Sequence, residues 1–97
     1  MNIQAMMQQA QKLQKDMLKS KKEIEEKDYI ATESFLTVEM KGNKEITKVK
    51  IDVDSLDKED IEILEDLICV AVNKNIKQIE KDMESKMGKF GGMTGLF

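Results

Sequence analysis

Side chains able to do bond-breaking chemistry are scarce in this sequence. There is no His, the commonest general base and metal ligand near neutral pH. The single Cys, Cys69, sits in the apolar helical stretch ICVAV, where burial would raise the thiol's pKa and make it inert; it is expected in the core. Asp57 with Asp60, and Glu65 with Asp66, are paired carboxylates, but acids at these places suit the start of a helix. The segment DVDSLDKEDIE has acids and no Gly, whereas a calcium-binding helix–loop–helix needs a central Gly among alternating oxygen ligands. GKFGGMTG is not followed by a helical pattern, so it does not read as a phosphate-cradling loop. No catalytic residue, metal ligand, cofactor or small-molecule substrate is expected, and the chain does not read as an enzyme.

Lysine carries the remaining functional signal. All 16 cationic residues are Lys. At about 100° per residue, Lys12, Lys15, Lys19 and Lys22 fall on one side of a helix, within roughly 80° of one another. Gln4, Gln8 and Gln11 extend that polar face. Lys74, Lys77 and Lys81 form a second row further along. The net charge of −3 hides this distribution. Residues 1–22 hold five Lys and one Asp, residues 52–66 hold eight acids and Lys58, and residues 74–89 hold five Lys and three acids. Basic ends flank an acidic middle. A single row of this kind is ordinarily a solvated face; two rows on two helices point toward a polyanion.

The elements that would position these rows are legible from periodicity. Ile3, Met6, Ala10, Leu13, Met17, Ser20 and Ile24 recur at spacings of three and four, predicting a helix over 3–27 with a heptad-like seam opposite the lysines. Leu36, Val38 and Met40, and then Val49, Ile51 and Val53, alternate with polar residues, predicting antiparallel strands with one buried face. Gly42-Asn43 supplies the turn, and a further strand near Tyr29–Thr32 is weakly marked. Asp57 caps a second helix over 58–87, whose stripe runs through Ile61, Leu64, Ile68, Val72, Ile76, Ile79, Met83 and Met87. Such a helix spans ~45 Å, longer than a domain this small can cover, so its distal half is expected to project or to pack on another chain.

The 97 residues suffice for a single domain, expected over 1–87, with 88–97 as a flexible Gly-rich tail. The fold class is α+β: helix, two or three antiparallel strands, long helix. A domain of this size buries only part of its surface, and eight Met residues suit a seam between helices. A homodimer is therefore expected, with its interface at Leu67, Ile68, Ala71 and Val72, where the second helix is most widely apolar. A lone Cys fits a reducing compartment. No apolar run approaches membrane-spanning length, and MNIQAMMQQAQ lacks the character of a secretory leader; a cytoplasmic location without membrane attachment is expected.

Three segments, in order, resemble one family. MMQQAQKLQKDMLKSKKEI looks like the Gln- and Met-rich opening helix of the YbaB/EbfC family of bacterial nucleoid-associated DNA-binding proteins. FLTVEMKGNKEITKVKID is similar to its hairpin and the acidic turn after it. DIEILEDLICVAVNKNIKQIEKDMESKM repeats its second-helix pattern, with Leu64-Glu65-Asp66-Leu67, Ala71, Asn73 and Met87 in register. The resemblance implies an α–β–β–β–α subunit, a homodimer with projecting tweezer-like arms, and duplex DNA as partner, bound in the nucleoid with little sequence preference. The lysines Lys12, Lys15, Lys19, Lys22, Lys74, Lys77 and Lys81 are then the expected phosphate contacts. Without Arg, direct base readout is left to Gln4, Gln8 and Asn75, and the acidic residues 52–66 are expected to face away from DNA. The competing expectation is a protein-interaction adaptor that uses the acidic or Met-rich surface and binds no DNA.

Overall fold

The structure is a computed structural model, and it describes residues 2–88. Helix α1 (Ile3–Glu26) leads into three strands, β1 (Asp28–Glu33), β2 (Leu36–Lys41) and β3 (Ile46–Ile51), and then the long helix α2 (Lys58–Met87). The sheet is antiparallel in the order β1-β2-β3. The extended form of the molecule, 72 × 18 × 14 Å, follows from two helices overlapping over only part of their lengths. Except for Gly88, the tail expected from residue 88 lies outside the described residues.

Helix boundaries have local causes. The Asn2 side chain accepts from the backbone N–H groups of Gln4 and Ala5, starting α1 at Ile3. Asp57 and Asp60 form a reciprocal capping box at the start of α2, which is the role their spacing predicts. At the other end of α1 the hairpin turn takes over: Gly42 N–H donates to the Lys27 carbonyl and Asn43 N–H to the Glu25 carbonyl. A side chain at Gly42 would begin 1.7 Å from the Ile24 carbonyl oxygen, so only Gly lets the β2–β3 turn approach α1 this closely.

Alpha2 lies over β1 and β2. Leu36, Val38 and Met40 are buried on the inner face of β2, and with Tyr29 and Ala31 of β1 they meet Ala71 and Ile79. Leu64, Leu67, Val72 and Ile76 pack around that contact, half-buried. A third cluster, Met17 with Met83 and Met87, joins the two helices beyond the sheet. Fully burying an aliphatic side chain is worth ~1.5–3 kcal/mol, so this contact with β1 and β2 is a main source of the fold's stability. Inside it, Asn75 is 2 % exposed and donates from Nδ2 to the Val38 carbonyl at 3.0 Å.

Three expectations are corrected here. Val49 and Ile51 alternate as a buried strand should, and face the same side as Val38 and Leu36, yet they stay 50 % and 42 % exposed because α2 does not extend over β3. Val53, beyond the strand, is bare as well. Cys69 is exposed rather than in the core, since the sheet meets the side of α2 that carries Ala71 and Asn75. Asn75 is a core residue that bonds the sheet, so it is not available to read bases.

Candidate nucleic-acid interface

Alpha1 and α2 run antiparallel, with Glu23 opposite Lys86 at 3.5 Å and Met17 packed on Met87. The described part of α2 ends there. Residues 3–16 of α1 continue for ~21 Å, and every one of them is exposed. This is a projecting arm, as expected for one of the two helices, but it is the first helix that projects and not the distal half of the second.

Along the arm the two faces differ in character. Ile3, Met6, Ala10 and Leu13 continue the line of Met17, Ser20 and Ile24, the three α1 residues that are buried. Ser20, the break in the apolar seam, is thus a seam residue all the same. Lys12, Lys15, Lys19 and Lys22 lie on the side of α1 turned away from α2, and all four are exposed. Lys22 is 4.0 Å from Glu26, a loose surface pair. Among the described residues, Lys12, Lys15 and Lys19 form no salt bridge. A cation without a carboxylate partner has no ion pair to give up when it meets a phosphate.

The second row differs. Lys74 makes an ion pair with Glu33 of β1, and only Lys77 and Lys81 are without a salt bridge among the described residues. The row also lies on the side of α2 turned away from α1, since Ile79, Met83 and Met87 occupy the side toward the core and α1. The structure therefore does not bring the two rows together: within one chain they look outward in opposite directions. The acids Asp57, Glu59, Asp60 and Glu62 cluster at the start of α2, ~40 Å along the helix axis from Met87. The charge asymmetry of the sequence is an asymmetry along the long axis, with the lysine arm at one end.

Between arm and sheet is a polar cluster that sequence reasoning did not find. The Asp82 carboxylate accepts from Tyr29 Oη at 2.7 Å, from Lys27 Nζ at 3.2 Å and from Gln78 Nε2 at 3.1 Å. Tyr29 is 4 % exposed as a residue. Burial, and then its bond to Asp82, push the phenol pKa up to about 12. The donated bond from Tyr29, followed by that from Lys27, holds the Asp82 carboxyl below the ordinary Asp value. Lys27 Nζ also stands 5.1 Å from the Tyr29 ring centroid. One sequence signal was available: Gln78 and Asp82 are an i,i+4 polar pair on the stretch of α2 that has to face a sheet.

Of the four residues expected at a dimer interface, Ile68 alone is exposed. Ala71 is 0 % exposed within the single subunit, and Leu67 and Val72 are half-buried against the same cluster. Besides Ile68, bare large apolar side chains include Ile46, Val49 and Ile51 on β3, Ile61, Ile63 and Val70 on α2, and several along the α1 arm.

The YbaB/EbfC DNA-binding family profile matches residues 1–94. The chain belongs to this family. A nucleoid-associated protein of Lactococcus lactis subsp. cremoris (strain MG1363) is 44% identical over 92 residues, covering 93% of each chain. One of Enterococcus faecalis (strain ATCC 700802 / V583) is 39% identical over 97 residues, covering 97% of this chain and 93% of its own. The crystal structure of an uncharacterized protein, HP0035, from Helicobacter pylori has the same fold, with a TM-score of 0.75 over 95% of this chain and 99% of the other at 19% identity. The helix–three strands–helix order expected of a YbaB/EbfC member is the order observed. No helix among the described residues is long and apolar enough to cross a membrane.

Proposed function

We propose that this protein is a nucleoid-associated protein that binds duplex DNA with little sequence preference, as a homodimer, through the lysine face of its α1 arm. The observation that carries the reading is the run Lys12, Lys15 and Lys19: among the described residues it is exposed, free of salt bridges, and borne on a helix stretch whose every residue from 3 to 16 is exposed. Membership of a DNA-binding family and the names of its relatives support the same reading. Lys is a flexible point charge that positions on phosphates and carries little base information. The α2 row is the lesser contributor, because binding through Lys74 must first compete with Glu33.

The dimer is supported by the bare apolar surface of β3 and the adjoining side of α2. An edge strand with Val49 and Ile51 uncovered is a surface that proteins usually pair or cover, and Ile68 on α2 is also 41 % exposed. We place the interface there, keeping Ile68 from the sequence-based set and adding β3. Two arms then present the lysine row twice.

The test is a binding titration at two salt concentrations with several unrelated duplexes. If about half of the eight α1-row lysines of a dimer engage, log affinity falls with log salt at a slope of roughly −4. Changing Lys12, Lys15, Lys19 and Lys22 together to Gln preserves helix propensity. It is expected to leave a folded dimer that binds every duplex much more weakly, with a flatter slope. Unchanged affinity moves the site to Lys74, Lys77 and Lys81. A parent protein that binds no DNA at low salt and micromolar concentration supports the adaptor instead.

A further inference from the structure

Alpha1 is joined to β1 by one residue, Lys27. That corner is pinned from behind by the hairpin turn, whose Gly42 and Asn43 N–H groups bond the Lys27 and Glu25 carbonyls. The pivot of the arm is therefore fixed, but backbone bonds at a corner do not fix the direction in which a 24-residue helix leaves it. Direction requires contacts with α2. The Met17–Met83–Met87 cluster is apolar and made of flexible side chains, which hold two helices together without choosing an angle. Glu23 and Lys86 meet at 3.5 Å with both side chains about half exposed, a contact of little weight.

Asp82 is different. One oxygen, Oδ2, takes both Lys27, the C-cap residue of α1, and Tyr29 in β1, while Oδ1 accepts from Gln78 of its own helix. We propose that Asp82 is the positioning residue of the arm: by gripping Lys27 and Tyr29 at once it sets the angle of α1 against α2, and with it the alignment of Lys12, Lys15 and Lys19 along a duplex. The functional half of this statement rests on the DNA-binding reading; the geometric half does not.

The sign of the effect separates positioning from charge. Asp82 is an acid in a molecule that binds a polyanion, so deleting its charge alone strengthens attraction to DNA. A positioning role requires the opposite, weaker binding on loss of the carboxylate. The pair of variants is Asp82→Asn and, as a charge-matched control on the same helix, Glu84→Gln, whose side chain is exposed. Each is made in a Cys69→Ser background with spin labels at Gln8→Cys on the arm and Glu59→Cys at the start of α2, diluted with unlabelled protein so that only distances within a subunit are read.

The parent and Glu84→Gln are expected to give one narrow distance distribution and, for Glu84→Gln, equal or slightly tighter DNA binding. Asp82→Asn is expected to broaden the distribution and to weaken binding roughly five-fold or more. If Asp82→Asn does not fold, Tyr29→Phe, which keeps the ring and removes one donor, is expected to show the same broadening to a smaller degree. An unchanged distribution in Asp82→Asn, or in Tyr29→Phe if that variant has to stand in, overturns the proposal whether or not DNA is bound. A broadened distribution with unchanged or tighter binding overturns its functional half. A parent that binds no DNA defeats the DNA reading, while the distances still decide whether Asp82 sets the arm.

Discussion

Strands β2 and β3 carry nearly the same pattern and have opposite fates. Leu36, Val38 and Met40 alternate along β2 and are sealed by α2, while their β3 partners Ile51, Val49 and, past a shift in register, Ile46 are left bare. Alpha1 repeats the contrast along one helix: Met17, Ser20 and Ile24 are buried, and the same stripe continues uncovered through Leu13, Met6 and Ile3. An apolar period reports that a face wants cover. It does not report whether the cover lies in the same chain. In this molecule the covered faces make the subunit, and the bare ones are where association and ligand binding have to be sought.

Substitutions that separate the two kinds of face test this division. The largest effect is expected at Ala71, which has no exposed surface against the sheet. Ala71→Lys buries an unpaired charge in a packed site and should cost several kcal/mol, so that circular dichroism shows unfolded chain at room temperature. A folded protein that merely becomes monomeric would mean that Ala71 belongs to the outer surface after all.

Ile68→Lys is the outer counterpart, three residues earlier in the same helix and 41 % exposed. Its subunit should keep its helical spectrum, while sedimentation shifts from dimer to monomer. A dimer that persists at micromolar concentration moves the interface off this side of α2.

The smallest effect is expected at Tyr29, and it is a matter of pH. A phenol whose folded pKa is raised from 10.0 to about 12 contributes stability that is complete below pH 10 and is lost as pH rises through about 12. Asp82, held below its ordinary value, contributes stability that is complete above that value and is lost as pH falls through its lowered pKa. Tyr29→Phe should therefore flatten the alkaline fall in denaturant midpoint and soften the acid one, with little change at neutral pH beyond the loss of one hydrogen bond, ~1 kcal/mol. An alkaline limb that survives the substitution would assign it to another group.

The helices, the hairpin and the Asp57 cap were legible because each is written in local sequence: spacing, a turn dipeptide, a capping pair. The lysine row of α1 was legible for the same reason, since a helix face is a local property. What the sequence concealed were relations between segments. Asn75 looks polar and available until β2 is laid over it, although Ala71 and Ile79, four residues to either side, mark the line that faces the sheet. The opposite outlook of the two lysine rows depends on which side of each helix meets the other. Asp82 is 53 residues from Tyr29 and 55 from Lys27, so no window of sequence holds the three together.

The position of α2 at the end of the described chain has a consequence for synthesis. The three strands are complete at Ile51, but the residues that roof β1 and β2, Ala71, Asn75 and Ile79, are made only later. At ~5–20 residues per second, the inner face of Leu36, Val38 and Met40 waits on the order of seconds for its cover. Strands that pair in that interval form a sheet with one naked face and an open edge. Its acidic stretch from Asp52 to Asp66 is the part of the chain that emerges next, and it puts a strong negative charge beside that face while it is most exposed to unwanted pairing.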